Sequence, residues 1–232
     1  MGEGGNFMER SIDQDLKKLK EKILAMGGYV ESAIDEATRV LIKGDPNRIT
    51  HVFEAEERVN DCHIQVDELC LEILAQKQPV ARDLRFVLSV VKINTDLERM
   101  GDQAINIAQN GMHYIDAGKK RSLIEFEEMT QIVRMMVRDA LDAFVNTTQS
   151  LAEDVLKRDD QVDDLKQKIF DELMAEMQAD SSQVKSCLDL ILIARNLERL
   201  GDHATNIAED VIFTSSGQDV RHRHGTVLGE TP

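Results

Sequence analysis

Hydrophobic positions recur every three and four residues over long stretches of the chain, the spacing of one helical face and not the alternation of a strand. Phe86, Val90, Ile93, Leu97, Met100, Ala104 and Ile107 form one such seam. Leu190, Ile193, Leu197, Leu200, Ala204, Ile207 and Val211 form a second, and Val52, Ala55, Val59, Cys62, Val66, Leu69 and Ile73 a third. Helix starts are marked as well. Ser11-Ile12-Asp13-Gln14, Ser122-Leu123-Ile124-Glu125 and Ser150-Leu151-Ala152-Glu153 have capping-box spacing. Asp45-Pro46 offers a cap followed by a proline suited to the first helical position. Pro79 and Asp180-Ser181-Ser182-Gln183 open two more segments. These signals predict helices near 11–43, 46–77, 79–116, 122–146, 150–178 and 181–214, and an all-α fold.

The chain also repeats itself. The segment Asp96-Leu97-Glu98-Arg99-Met100-Gly101-Asp102-Gln103-Ala104-Ile105-Asn106-Ile107-Ala108 returns 100 residues later as Asn196-Leu197-Glu198-Arg199-Leu200-Gly201-Asp202-His203-Ala204-Thr205-Asn206-Ile207-Ala208. A second match, offset by 103, aligns the run from Glu56 to Asp61 with that from Asp159 to Asp164. Internal duplication of a three-helix unit follows. The expected organisation is a flexible N-terminus at 1–10, a first three-helix bundle at 11–117, a joint at 118–121, a second bundle at 122–214 and a disordered tail at 215–232. The joint is the basic stretch Gly118-Lys119-Lys120-Arg121, and the tail carries Arg221-His222-Arg223-His224 without periodicity.

Composition narrows the function classes. With 4% aromatic residues, no Trp and three prolines, the chain lacks the strand formers and turns of a sandwich or barrel. A net charge of −15 argues against nucleic acid as a partner, since phosphate contacts need a basic face. It suits cations or basic proteins. Cys62, Cys70 and Cys187 form no CxxC pair, and Cys62 and Cys70 read as buried thiols. No apolar run approaches the ~20 residues of a membrane span. The opening Met1-Gly2-Glu3-Gly4-Gly5 has no signal-sequence pattern, so a cytoplasmic location is expected. No P-loop, glycine fingerprint or HExxH occurs, and no nucleophile stands beside a base; the reading is of a non-enzyme. A di-metal oxidase in a bundle would need inward acids with Glu-x-x-His pairs.

What remains is an acid stripe. Glu98, Asp102 and Asn106 step by four and share a face nearly opposite the seam, as do Glu198, Asp202 and Asn206. A single ExxxD is most often a solvated surface, and Arg99 could pair with Asp102 as an ordinary neighbour. The duplication weakens that reading. Like charges four residues apart cost helix stability, and so does a glycine inside a helix, by ~1 kcal/mol. The residues between the acids, Gly101, Ala104, Gly201 and Ala204, are small. Oxygen donors on adjacent helices suit magnesium, manganese, iron or zinc ions. His63 is expected at the surface, its repeat counterpart being Lys166, and His203 points about 100° away from the acids.

At these residues the chain resembles the PhoU family of phosphate-signalling regulators. The paired ERxGDxAxNIA segments carry the resemblance, with Gln78-Pro79-Val80-Ala81-Arg82-Asp83-Leu84-Arg85 before the first, over roughly residues 10–214. It implies two pseudo-symmetric three-helix bundles with metal sites on their surfaces. Carried over, the ligands are Glu56, Asn60, Glu98, Asp102 and Asn106 in the first bundle. In the second they are Asp159, Asp163, Glu198, Asp202 and Asn206. It further implies negative regulation of phosphate uptake and starvation signalling, with a phosphate ABC transporter and a sensor histidine kinase as partners. A homodimer is expected, reaching the membrane only through those partners. The alternative is a carboxylate-bridged metal-binding or storage scaffold without a signalling role. From carboxylate count alone, the second cluster is expected to hold metal more tightly than the first.

Overall fold

The apolar seams close on one another in two groups of three. A computed structural model describes residues 11–118 and 121–216. Its helices are α1 (Ser11–Lys43), α2 (Ile49–Lys77), α3 (Ala81–Asp116), α4 (Ile124–Asn146), α5 (Gln149–Ala179) and α6 (Val184–Ser216), with no strand among the described residues. The first three pack together and so do the last three. The N-terminal ten residues, Lys119-Lys120 of the joint and the chain from 217, with its histidines, lie outside the described residues, as do the side chains of Ser11, Ser215 and Ser216. The first two residues of the expected tail, 215 and 216, are helical, because α6 runs on to Ser216.

Helix existence follows the pattern closely, whereas the starts are corrected in detail. Asp45 does cap, accepting from the Asn47 N–H at 3.1 Å, but what it caps is a 3₁₀ turn, Pro46–Arg48, ahead of α2. Asp180 likewise accepts from the Ser182 N–H at 2.9 Å over the turn Ser181–Gln183. The capping boxes at Ser122 and Ser150 do not form. Leu123 is the N-cap of α4 without a side-chain bond, and the Glu125 carboxylate instead takes a backbone N–H of its own, which lowers its pKa. Thr148 precedes α5, and Glu153 is engaged by the Gln149 amide at 2.8 Å. Proline 79 precedes α3 by two residues, since Gln78 is left-handed and Val80 extended.

Every residue of the α6 seam is buried. In the other two seams Phe86, Cys62 and Leu69 are only partly covered and the rest are buried. Helices α3 and α6 carry a second buried face, because each also packs along the other across the bundle interface. They run antiparallel there: Ser89 meets Thr214 at 2.8 Å, Lys92 meets Asp210 at 2.9 Å and Asp96 meets His203 at 2.9 Å. Helix α1 packs on α4 beside them. Phe86 and Phe144 stack across the junction with centroids 5.3 Å apart.

Candidate functional site

The two acid stripes meet a second row of acids through their glycines. A Cβ on Gly101 would stand 3.3 Å from Val59 Cγ1 and 3.7 Å from Glu56 Cγ, so the missing side chain lets α2 lay Glu56 over the first motif. On Gly201 the same atom would stand 3.5 Å from Asp159 Oδ1 and 3.6 Å from Val162 Cγ1, placing Asp159 over the second. The two helix pairs are thus held in one register, and the positions aligned by the repeat occupy equivalent places. Asp102, Asn106, Asp202, Asn206, Asn60 and Asp163 are exposed, whereas Glu56, Glu98, Asp159 and Glu198 are half-buried.

The second cluster is electrostatically crowded. Burial pushes the Asp159 carboxyl up to about 6, helped by Asp202, Asp163, Asp160 and Glu198. The Asp202 carboxyl is raised too, by lost hydration and by Glu198 and Asp163, against the lowering pull of His203 and Lys166. Lys166 Nζ donates to Glu198 at 2.8 Å and to Asp163 at 3.0 Å. In the first cluster the Asn60 amide donates to Glu56 at 2.6 Å. Among the described residues no three His, Cys, Asp or Glu side chains are already drawn together tightly enough to hold an ion. The donor chemistry nevertheless fits a hard cation: only oxygens, partly desolvated and repelling one another, a condition that positive charge relieves.

Not every expected donor joins its cluster. The Asn206 amide is turned to the bundle interface, where it donates to Asp96 Oδ1 at 3.3 Å. His203 shares that carboxylate at 2.9 Å, both side chains at least nine-tenths buried, which accounts for its direction away from the acids. Asp96 opens the first repeat segment, yet nothing in the pattern marks it, because its partners come from the other half of the chain. His63 is half-buried, 3.5 Å from Asp67 and 3.4 Å from the Asn94 carbonyl oxygen. Cys70 and Cys187 are buried and Cys62 partly so; burial drives the Cys70 thiol up to about 12.

The model of the PhoU domain matches twice, over residues 23–111 and 126–211. A phosphate-specific transport system accessory protein PhoU homolog of Pseudomonas putida is 38% identical over 218 residues, spanning 94% of this chain and 85% of that protein. The accessory protein PhoU of Escherichia coli is 32% identical, spanning 94% and 90%. The crystal structure of PhoU from Pseudomonas aeruginosa superposes with a TM-score of 0.87 at 36% identity, covering 90% of this chain and all of that one. That of the phosphate transport system regulatory protein PhoU from Streptococcus pneumoniae gives 0.82 at 25% identity, covering 90% and 99%. Two family matches and two motif copies in register, on a fold superposing along nearly its whole length, lead to one conclusion: the chain belongs to the PhoU family.

Proposed function

We propose that this protein is a negative regulator of phosphate uptake and phosphate-starvation signalling, linking a phosphate ABC transporter to a sensor histidine kinase. The observation that carries the reading is the match along nearly the full chain to accessory proteins named for the phosphate-specific transport system. Among the described residues no helix is long and apolar enough to cross a membrane, so contact with membrane partners falls to the exposed faces of the bundles. Relatives carry accessory and regulatory names, in keeping with a role without catalysis.

Metal ions, of iron, zinc, manganese or magnesium, belong to the same proposal. Glu56, Asn60, Glu98, Asp102 and Asn106 would hold them on the first bundle, and Asp159, Asp163, Glu198, Asp202 and Asn206 on the second. A bound cation would supply the positive charge that the crowded carboxylates lack.

Deleting the gene tests the regulatory role. Starvation genes should then be expressed in phosphate-rich medium, and restoring the chain should silence them. Unchanged repression in the deletion strain overturns the proposal. A pure metal scaffold is separated from it by pull-down: only a regulator associates with transporter or kinase domains in a phosphate-dependent way.

A further inference from the structure

The duplicated halves differ most clearly at one place beside the second acid cluster. In the first bundle Asn94 on α3 is fully buried and bridges to α2, donating to Asp67 at 2.9 Å and to the His63 carbonyl oxygen at 3.0 Å. By the two repeat offsets the equivalents in the second bundle are Ala194 and Phe170. No polar bridge can form there. A groove of about 360 Å³ opens between α5 and α6, floored by Ile169, Phe170, Ile191 and Ala194. Phe170 is 42% exposed, although an isolated protein gains by covering an aromatic ring. The apolar surface continues beyond the groove. Met174 follows one turn along α5, and Leu188 precedes Ile191 on the same side of α6.

Charge selects the occupant. At one end the groove runs into Glu198, next to Asp163, Asp159 and Asp202, so that four carboxylates stand there against the two cations of the lining, Lys166 and Arg195. The chain as a whole carries −15. We propose that this groove docks a basic amphipathic helix of another protein, its large apolar side chains against Phe170 and Ile191 and its cations toward the acid cluster. Helix-in-groove recognition of this kind reads apolar anchors at i, i+3, i+4 and i+7. The inference goes beyond the regulatory role and does not depend on it.

The absence of Trp from the chain makes the test direct. A fourteen-residue helical probe of Leu and Lys with one Trp, titrated with the full chain, reports binding through its own fluorescence. Binding should weaken at least tenfold in Phe170→Asp and in Ala194→Asn, which install the residues of the first bundle. It should weaken similarly when Glu replaces Lys in the probe. Circular dichroism of each variant establishes that its helices are intact, and Ile191→Lys, on the groove floor, gives a third route to the same loss should either fail to fold. Absence of binding overturns the proposal. So does equal binding by the variants, which means that the probe reads only the acid face; Phe170→Asp adds negative charge and would then bind more tightly. A second copy as occupant appears as an oligomer that the variants dissociate, and the chain's own C-terminal segment as a tenfold gain on truncation after Ser216. Either result also overturns it.

Discussion

Lys166 changes the comparison between the two acid clusters. Counting carboxylates favours the second, which has Asp159, Asp163, Glu198 and Asp202 against Glu56, Glu98 and Asp102. The Lys166 ammonium, bonded to Asp163 and Glu198, cancels one of those charges and leaves the clusters equal in net charge. A cation arriving there must compete with it. Replacing Lys166 with Gln should therefore do two opposite things. The metal-free protein should lose up to about 1 kcal/mol of stability, a value set by a partly exposed pair. Affinity for a divalent ion at the second cluster should rise about tenfold, since ligand charge tunes such sites. After stripping with chelator, calorimetric titration of the variant and of wild type reads the affinity, and urea denaturation of the same proteins reads the stability. A drop in affinity would mean that Lys166 holds Asp163 and Glu198 in a binding geometry instead of blocking them.

Single helices were readable from periodicity because a 3.6-residue repeat sustained over about 30 residues has no competing structure. Their starts were less so. A Ser-x-x-Glu spacing is compatible with several helix origins one or two residues apart, and the choice is made by what the flanking segment touches. Arg121 is held by Glu172 at 2.9 Å and Glu176 at 3.2 Å, and its backbone N–H by the Tyr114 hydroxyl at 3.2 Å, which fixes the chain entering α4. The contact between α1 and α4 likewise depends on one position. A Cβ on Gly27 would overlap the terminal Cδ1 methyl of Leu141, so a side chain there requires Leu141 to turn within the contact. Gly27→Val should cost about 1–3 kcal/mol by overpacking. Gly28, its neighbour, has nothing within 4 Å of an added Cβ, and Gly28→Ala should be neutral or stabilising by up to about 1 kcal/mol. Urea denaturation of the pair gives both signs in one experiment; equal effects would show that helix propensity, and not the α1–α4 approach, governs position 27.

At the scale of the whole molecule, duplication provides symmetry and the α3–α6 interface breaks it. Asp96 and His203 are bonded across the interface, while their repeat equivalents, Asn196 and Gln103, are not. The Asn196 amide turns back to the Leu192 carbonyl oxygen at 2.8 Å, and Gln103 is buried with its side-chain oxygen unpartnered. One flank of the interface therefore carries the Asp96–His203 and Lys92–Asp210 bonds, whereas on the other Asp189 comes no nearer than 3.9 Å to His113. Removing His203 leaves the buried Asp96 carboxylate with the Asn206 amide alone, so His203→Gln should destabilise by about 1–3 kcal/mol. Adding Asp96→Asn recreates the neutral pair of the opposite flank and should recover most of the loss. A double-mutant cycle by thermal unfolding measures the coupling. Additive losses would mean that the two residues contribute to the interface separately.

Residue order alone determined the helical class, the duplication, the seams and the composition of the acid clusters. All of these are local or periodic properties, expressed by residues a few positions apart or by one segment repeating another. Tertiary structure decided the rest. That Gly101 serves close approach by α2, that Lys166 neutralises part of its cluster, and that the Asn206 amide donates to Asp96 all depend on pairs separated by roughly 30 to 110 residues. The groove at Ala194 is the clearest case. Ala194 stands beside Ile193 of the seam and is itself buried, and only the loss of the bridge made by Asn94 in the other half reveals the open space next to it. A helix carries its periodicity in its own sequence, but the partner of each side chain is chosen by packing.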